Sequence, residues 1–482
     1  MTTNVTRSLR ILQILLVIAA PLCLYRATST PARAANPPAS VDLKYTPSTG
    51  GLTRVKVLFE LQGNLTLQPQ DKTGKQDNQT PVEVRAELVY HEKSLQADAK
   101  SSTLSRSVRH YETAGAVIQY KGGTVRPRLR DDRRIVALGL EKAPEAVLFS
   151  PLGPLDHDEL DLVSVPANSA LVNALLPNRA ARVGETWRLE TDWLAALLGM
   201  DAVHTADIAC KLDRVEKGLA VVHLQGNASG ASDGVSHEMT VAAKYSYDLK
   251  QHRITWLAMS LKEKRALGHA HPGTDATARV QMSIEGSTNV PTLDNKVLAD
   301  LNLEPDEPSR LLEFNSPAGG FQLLVDRKWH VMVDRTDVSV LRMVDRGDLI
   351  AQCNISSLPS LEQGETFSLV DFQQDIQRAL ANHFGEFLNA SESRTDDGIH
   401  VMRVAATGKE ADSALAIDRV YYHLTDPQGR RVSCVFTYES DLADRFAAGD
   451  QAAVSSFRFI ERTAGSLSDA ATRPVPTVPG KR

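Results

Sequence analysis

From residue 204 to 285 the chain alternates apolar and polar residues almost without interruption, and only short polar breaks divide the run. This feature narrows the fold further than any other. Period-two alternation predicts half-buried strands, and consecutive strands joined by short turns must run antiparallel. The predicted strands are 204–215, 219–228, 237–249, 253–263 and 276–285. They are separated by Lys217-Gly218, Asp233-Gly234, Lys250-Gln251-His252 and the loop 268–275. Their inward sets are Ala206, Ile208, Cys210, Leu212; then Ala220, Val222, Leu224, Ala228; then Met239, Val241, Ala243, Tyr245, Tyr247. Long antiparallel strands twist and coil, so a curved sheet or half-barrel is expected.

Further strand patterns lie upstream at 41–45, 52–67, 82–89, 108–120 and 135–140. One strongly apolar helix is expected at 193–199, capped by Asp192, with Trp193, Leu194, Leu197 and Leu198 laid on the sheet. Together these make residues 36–289 a mainly β domain. A curved sheet with a covering helix is loosely similar in architecture to bacterial lipoprotein-carrier proteins. That resemblance has no shared motif and assigns no residue. It implies an apolar cavity, with the alternative that the small inward residues only let the helix approach.

Residues 290–317 carry Pro291, Pro305, Pro308 and Pro317 and a dense acidic centre, Glu304-Pro305-Asp306-Glu307. No regular element runs through so many prolines, so the stretch is read as an inter-domain linker, with at most a short helix at 298–301. After it, strands at 321–325, 329–333, 338–344 and 349–356 precede an amphipathic helix predicted over 369–388. Phe372, Ile376, Leu380 and Phe384 form its stripe, widened by Leu369, Ala379 and Phe387, and Ser368 is its N-cap. Strands at 400–407, 416–424 and 431–438, a second helix near 442–454 and a strand at 456–460 complete residues 318–462, an α+β domain with an antiparallel sheet flanked by helices. Phe321 with Trp329, the central helix and the closing Val454-Ser455-Ser456-Phe457-Arg458-Phe459 carry a resemblance to the PsbP-like family, over about residues 314–462. The resemblance implies an extracytoplasmic accessory protein that binds partners without catalysis. It carries over no ligand residue.

The termini differ from this body. Arg7 and Arg10 precede an apolar run at 11–24 and the small-x-small triplet Ala32-Arg33-Ala34, which together read as a signal peptide over 1–34. The run is shorter than a bilayer span, and a retained anchor is the competing reading. Residues 463–482, with three prolines, are expected to be a disordered tail. Removing 1–34 takes away four arginines and no acid, which moves the formal charge from −5 to −9. That balance disfavours nucleic acid as a partner. Three cysteines then remain, Cys210, Cys353 and Cys434. A Cys353–Cys434 disulfide and buried free thiols are the two readings.

Five strings suggest chemistry. Arg126, Arg128, Arg130, Arg133 and Arg134 could clamp a phosphate or carboxylate, but Asp131 and Asp132 lie among them, and a self-compensating loop is expected. Asp156-His157-Asp158-Glu159 with Asp161 fits neither calcium nor zinc spacing. Gly230-Ala231-Ser232-Asp233-Gly234 matches a nucleophile elbow, yet a strand rather than a helix follows. His269 and His271 with Asp275 offer metal donors in a Pro-Gly loop without a fourth ligand. Arg346-Gly347-Asp348 is an adhesion-type tripeptide in what reads as a charged turn. No phosphate loop, dinucleotide fingerprint, Cys-x-x-Cys pair or His-Glu-x-x-His helix occurs. No catalytic, cofactor or metal residue is assigned and no cofactor is expected. The expected function is an exported, non-enzymatic binding or scaffold protein, periplasmic or secreted, with a protein partner or an apolar small molecule. The alternatives are a carrier of an apolar ligand and a hydrolase with an unrecognised site.

Overall fold

The strand-rich sequence folds chiefly into two antiparallel sheets, one of twelve strands and one of seven. The structure is a computed structural model and describes residues 40–46, 49–67, 79–97, 104–142, 145–189, 193–362, 365, 367–409 and 415–462. The expected signal peptide, the cap Asp192 and the tail lie outside these residues. In chain order, β1 (Val41–Asp42), β2 (Leu52–Thr66), β3 (Gln79–Ala97), β4 (Leu104–Tyr120), β5 (Gly123–Val125), β6 (Ile135–Lys142) and β7 (Glu145–Phe149) come first. Helix α1 (His157–Val163), β8 (Ala180–Ala181), β9 (Thr186–Arg188) and helix α2 (Leu194–Leu198) follow. The meander is β10 (Ala202–Glu216), β11 (Leu219–Ser232), β12 (Val235–Asp248), β13 (Arg253–Arg265) and β14 (Gly273–Gly286).

The order in the large sheet is β7-β6-β4-β3-β2-β14-β13-β12-β11-β10-β9, with β5 on β4. The two halves meet where β14 pairs with β2, in a register that sets Val280 opposite Phe59 and Met282 opposite Val57. One face of this sheet is packed. Residues 155–176 and 193–200 lie over it, with Ala167, Leu171, Val172 and Leu175 fully buried. Most of this cover is irregular chain, so its backbone groups need partners. The Leu175 carbonyl accepts from Trp187 Nε1 at 3.1 Å and from the Tyr245 hydroxyl at 2.9 Å. A buried ion pair, Arg109 Nε to Glu92 Oε1 at 2.8 Å, anchors the same segment. Ser169 Oγ donates to Glu92 at 2.7 Å, and Asn168 accepts from Arg109. The covering helix expected from the sequence is thus a minor part, five residues long, and the inward side chains of the meander share one hydrophobic core with the covering segment. A surface groove of about 500 Å³ lies beside Leu58, Gly115, Arg126 and Arg128.

The stretch 290–317 is ordered against the sheet. It forms helix α3 (Asn295–Leu298), two single 3₁₀ turns and β15 (Leu312–Ser316). Leu293 and Leu298 are buried with Val108 and Ile135, and Lys93 Nζ donates to the Leu293 carbonyl at 2.6 Å. Then come β16 (Phe321–Val325), β17 (Trp329–Asp334), β18 (Ser339–Asp345), β19 (Asp348–Leu358), helix α4 (Leu369–Leu380), β20 (Phe384–Arg394), β21 (His400–Lys409), β22 (Ala416–Thr425), β23 (Arg431–Glu439), helices α5 (Ala443–Phe446) and α6 (Gly449–Ser455), and β24 (Arg458–Phe459). The second sheet runs β17-β18-β19-β23-β22-β21-β20, and β15-β16-β24 form a small third one.

The expected α+β class of residues 318–462 is corrected here. The long helix ends at Leu380, because Ala381 takes a positive φ of +46° and the chain turns into strand β20. The second helix is broken into two short pieces, with Ala447 and Ala448 both at positive φ. What remains is mainly β. The described residues belong to one compact unit, and a continuous hydrophobic core joins the large sheet, its cover and the seven-stranded sheet. Arg130 ties α1 of the cover to β15 of the small sheet, with Glu159 at 2.8 Å and Glu313 at 3.2 Å. Among the described residues no helix is long and apolar enough to cross a membrane.

Candidate metal centre

The β11–β12 hairpin ends in Asp233-Gly234, both at positive φ (+49° and +69°), as a two-residue hairpin loop of this twist requires. The β18–β19 hairpin ends the same way in Arg346-Gly347, at +53° and +90°. The two tips touch backbone to backbone. A Cβ on Gly234 would lie 1.9 Å from the Gly347 nitrogen, so only glycine fits there. This contact brings three chain-distant donors together.

Asp233 comes from the first tip, His271 from the β13–β14 loop and His330 from β17. Their donor atoms all lie within 4.8 Å of one another, and each side chain is part-buried. His271 Nε2 is 3.3 Å from Asp233 Oδ2. The His271 and His330 rings meet edge to face at 4.6 Å between centroids, and His157 lies behind at 6.1 Å from His330. Each donor is held by its surroundings. Asp201 Oδ2 accepts the Asp233 backbone N–H at 2.5 Å, and the Gly268 N–H donates to the His271 carbonyl at 3.1 Å. His157 Nε2 is 2.5 Å from the Trp329 carbonyl, next to His330. Burial, with the neighbouring Asp233 charge, raises the Asp201 carboxyl above its ordinary range. Two imidazoles and one carboxylate are a donor set suited to zinc and its first-row neighbours.

The sequence pointed to this loop with the wrong partners. His271 is in the cluster, whereas Asp275 is exposed on β14, opposite Lys264, and His269 is exposed as well. Asp233 was read only as a turn residue and His330 was not singled out, because no local spacing links residues almost a hundred positions apart. The remaining strings resolve structurally. Asp156 and Glu159 form the capping box of α1, Glu159 pairs with Arg130, and burial pushes the Asp156 carboxyl up to about 6. Arg133 and Arg134 are paired with Asp132 and Asp131. Asp348 pairs with Arg445 at 2.7 Å and Gly347 abuts Gly234, so the adhesion-type turn is engaged within the chain. Cys210, Cys353 and Cys434 are buried free thiols.

Ser232 Oγ lies 2.8 Å from His237 Nδ1, and His237 Nε2 lies 3.6 Å from Glu263. Serine and histidine are both buried, and strands flank the turn on either side. The strand-to-helix elbow that would lift the serine toward a substrate does not occur at this turn.

No family model matches the chain, and no curated protein matches it. Among solved structures it is similar to the outer membrane protein OprD of Pseudomonas aeruginosa, at 11% identity over 83% of this chain and 96% of that one, with a TM-score of 0.12. OprB of Pseudomonas putida matches at 9% identity over 81% and 94%, TM-score 0.12. A BenF-like porin of Pseudomonas fluorescens matches at 7% over 80% and 97%, TM-score 0.10. Scores this low carry no argument about fold or function. Neither resemblance read from the sequence is met in these comparisons. With no family model and no curated relative behind either, the PsbP-like assignment and the carrier-like assignment are withdrawn. The exported, non-enzymatic binding or scaffold protein and the apolar-ligand carrier expected from the sequence are withdrawn with them.

Proposed function

We propose that the protein works through a divalent ion of the zinc class, held by Asp233, His271 and His330 on the outer side of the cytoplasmic membrane. The convergence of their donor atoms within 4.8 Å, from three elements far apart in sequence, carries this reading. Nitrogen and carboxylate donors favour zinc over calcium or magnesium, which prefer oxygen alone. Three protein donors leave a fourth tetrahedral position for water or an outside ligand, the pattern of ions that act on a ligand rather than brace a fold. The location, periplasmic or secreted, rests on the basic residues, short apolar run and Ala-x-Ala triplet of the first 34 residues.

Calorimetric titration of the untagged mature chain with zinc tests the proposal, with cobalt absorption as a second readout. One ion per chain is expected, with the intense visible bands of four-coordinate cobalt. Asp233→Ala or His330→Ala should weaken binding by more than the roughly 10–100-fold typical of outer-shell partners. Zinc binding that survives both substitutions, or no binding at all, overturns the metal reading. Recovery of the chain only from the cytosol with Met1 intact overturns the location.

A further inference from the structure

We infer that the ion's outer ligand is an oxyanion, a carboxylate or phosphate group gripped also by Arg265 and Arg342; this rests on the metal reading above. Two guanidinium groups flank the cluster. Arg265 Nη1 is 3.6 Å from Asp233 Oδ2, while its Nε is buried and meets no hydrogen-bond partner among the described residues. Arg342 sits directly opposite His330 across the β17–β18 pair and donates from Nη1 to the His269 carbonyl at 2.9 Å, in the loop that carries His271. It meets no carboxylate among the described residues; its other acceptor is the Gln352 amide oxygen.

The charges set the class of ligand. Asp201 and Asp233 are two carboxylates, and Arg265 and Arg342 are two cations. These four offset one another, so a divalent ion adds positive charge that this set does not balance. Neutral or cationic ligands gain nothing from that field. An oxyanion gains from the ion and from the planar donor fork of a guanidinium, which matches two oxygens of one carboxylate or phosphate.

The test uses zinc-loaded protein, titrated with inorganic phosphate and, separately, with acetate. The zinc affinity of each variant is measured first. Phosphate or acetate should bind the zinc form and bind the zinc-free form about tenfold more weakly or worse. Compared at equal zinc loading, Arg265→Gln should weaken the anion by about tenfold, the usual scale of one charge-assisted bond. Arg342→Gln is the second variant, should Arg265→Gln fail to fold. Stronger binding of phosphate than acetate identifies a phosphate group, and the reverse a carboxylate; either order supports the oxyanion. Zinc binding with neither anion bound overturns this inference and leaves the metal reading standing. Equal anion affinity in wild type and both variants also overturns it. Absence of zinc binding overturns both.

Discussion

His423 is 2% exposed beneath helix α4, with its ring 4.8 Å from that of Phe367 and 5.7 Å from that of Phe372. Its Nε2 has no hydrogen-bond partner among the described residues, and Arg431 and His400 add like charge nearby. Burial is the leading cause that lowers its pKa to about 4. A histidine depressed in the folded state stabilises the fold above its unfolded pKa of about 6.5, and that contribution is lost as pH falls toward 4. The shift corresponds to something on the order of 3 kcal/mol. Denaturant melts from pH 7 to pH 4 should therefore show an acid-side loss that His423→Phe removes; an unchanged slope in the variant would place the titration elsewhere. Nothing in the sequence marked His423, since a histidine in an alternating strand looks the same whether or not an aromatic helix lies on it. Of the three candidate donors only His271 was singled out, through its spacing from His269, and Pro272-Gly273 spoke there for a loop rather than a site. Asp233 was visible as a turn residue but not as a ligand.

At the level of elements, the meander was the legible part. Each observed strand begins and ends within four residues of the alternation, and the inward set of β12 is buried without exception. Helix α4 shows where periodicity misleads. Phe372, Ile376 and Leu380 are buried together against Met402, Val404 and Ala406. Phe384 continues the four-residue rhythm but opens β20 and reaches the same cluster from a strand. The rhythm cannot report that Ala381 turns left-handed between them. Ile376→Ala should cost about 2–5 kcal/mol, the range for truncation in a packed core. Gln374→Ala, on the exposed face, should cost within about 0.5 kcal/mol. Urea melts compare the two, and equal small effects would show that the helix does not lie on this sheet.

Across the whole molecule, strand order beyond the meander was not legible. That β2 joins β14 depends on pairings more than two hundred residues apart, the covering segment meets the sheet through hydrogen bonds such as those 59 and 81 residues apart, and local patterns carry no such information. The proline-rich stretch 290–317 looked like a spacer because its backbone cannot be regular; burial of Leu293 and Leu298 is what ties it down. A protease nick there is therefore expected to leave the two pieces associated on a native sizing column and separable only in denaturant. Fragments that part spontaneously would show that the Arg130–Glu313 pair and the shared core do not hold them. The meeting of Gly234 and Gly347 has a further consequence. Because peptide bonds touch there without side chains between them, the gap between the hairpins is a fixed gauge, insensitive to rotamer changes. The distance from Asp233 to His330 inherits that tolerance. Any residue larger than glycine at either tip acts as a shim, and it should open the three-donor cluster before it disturbs either sheet.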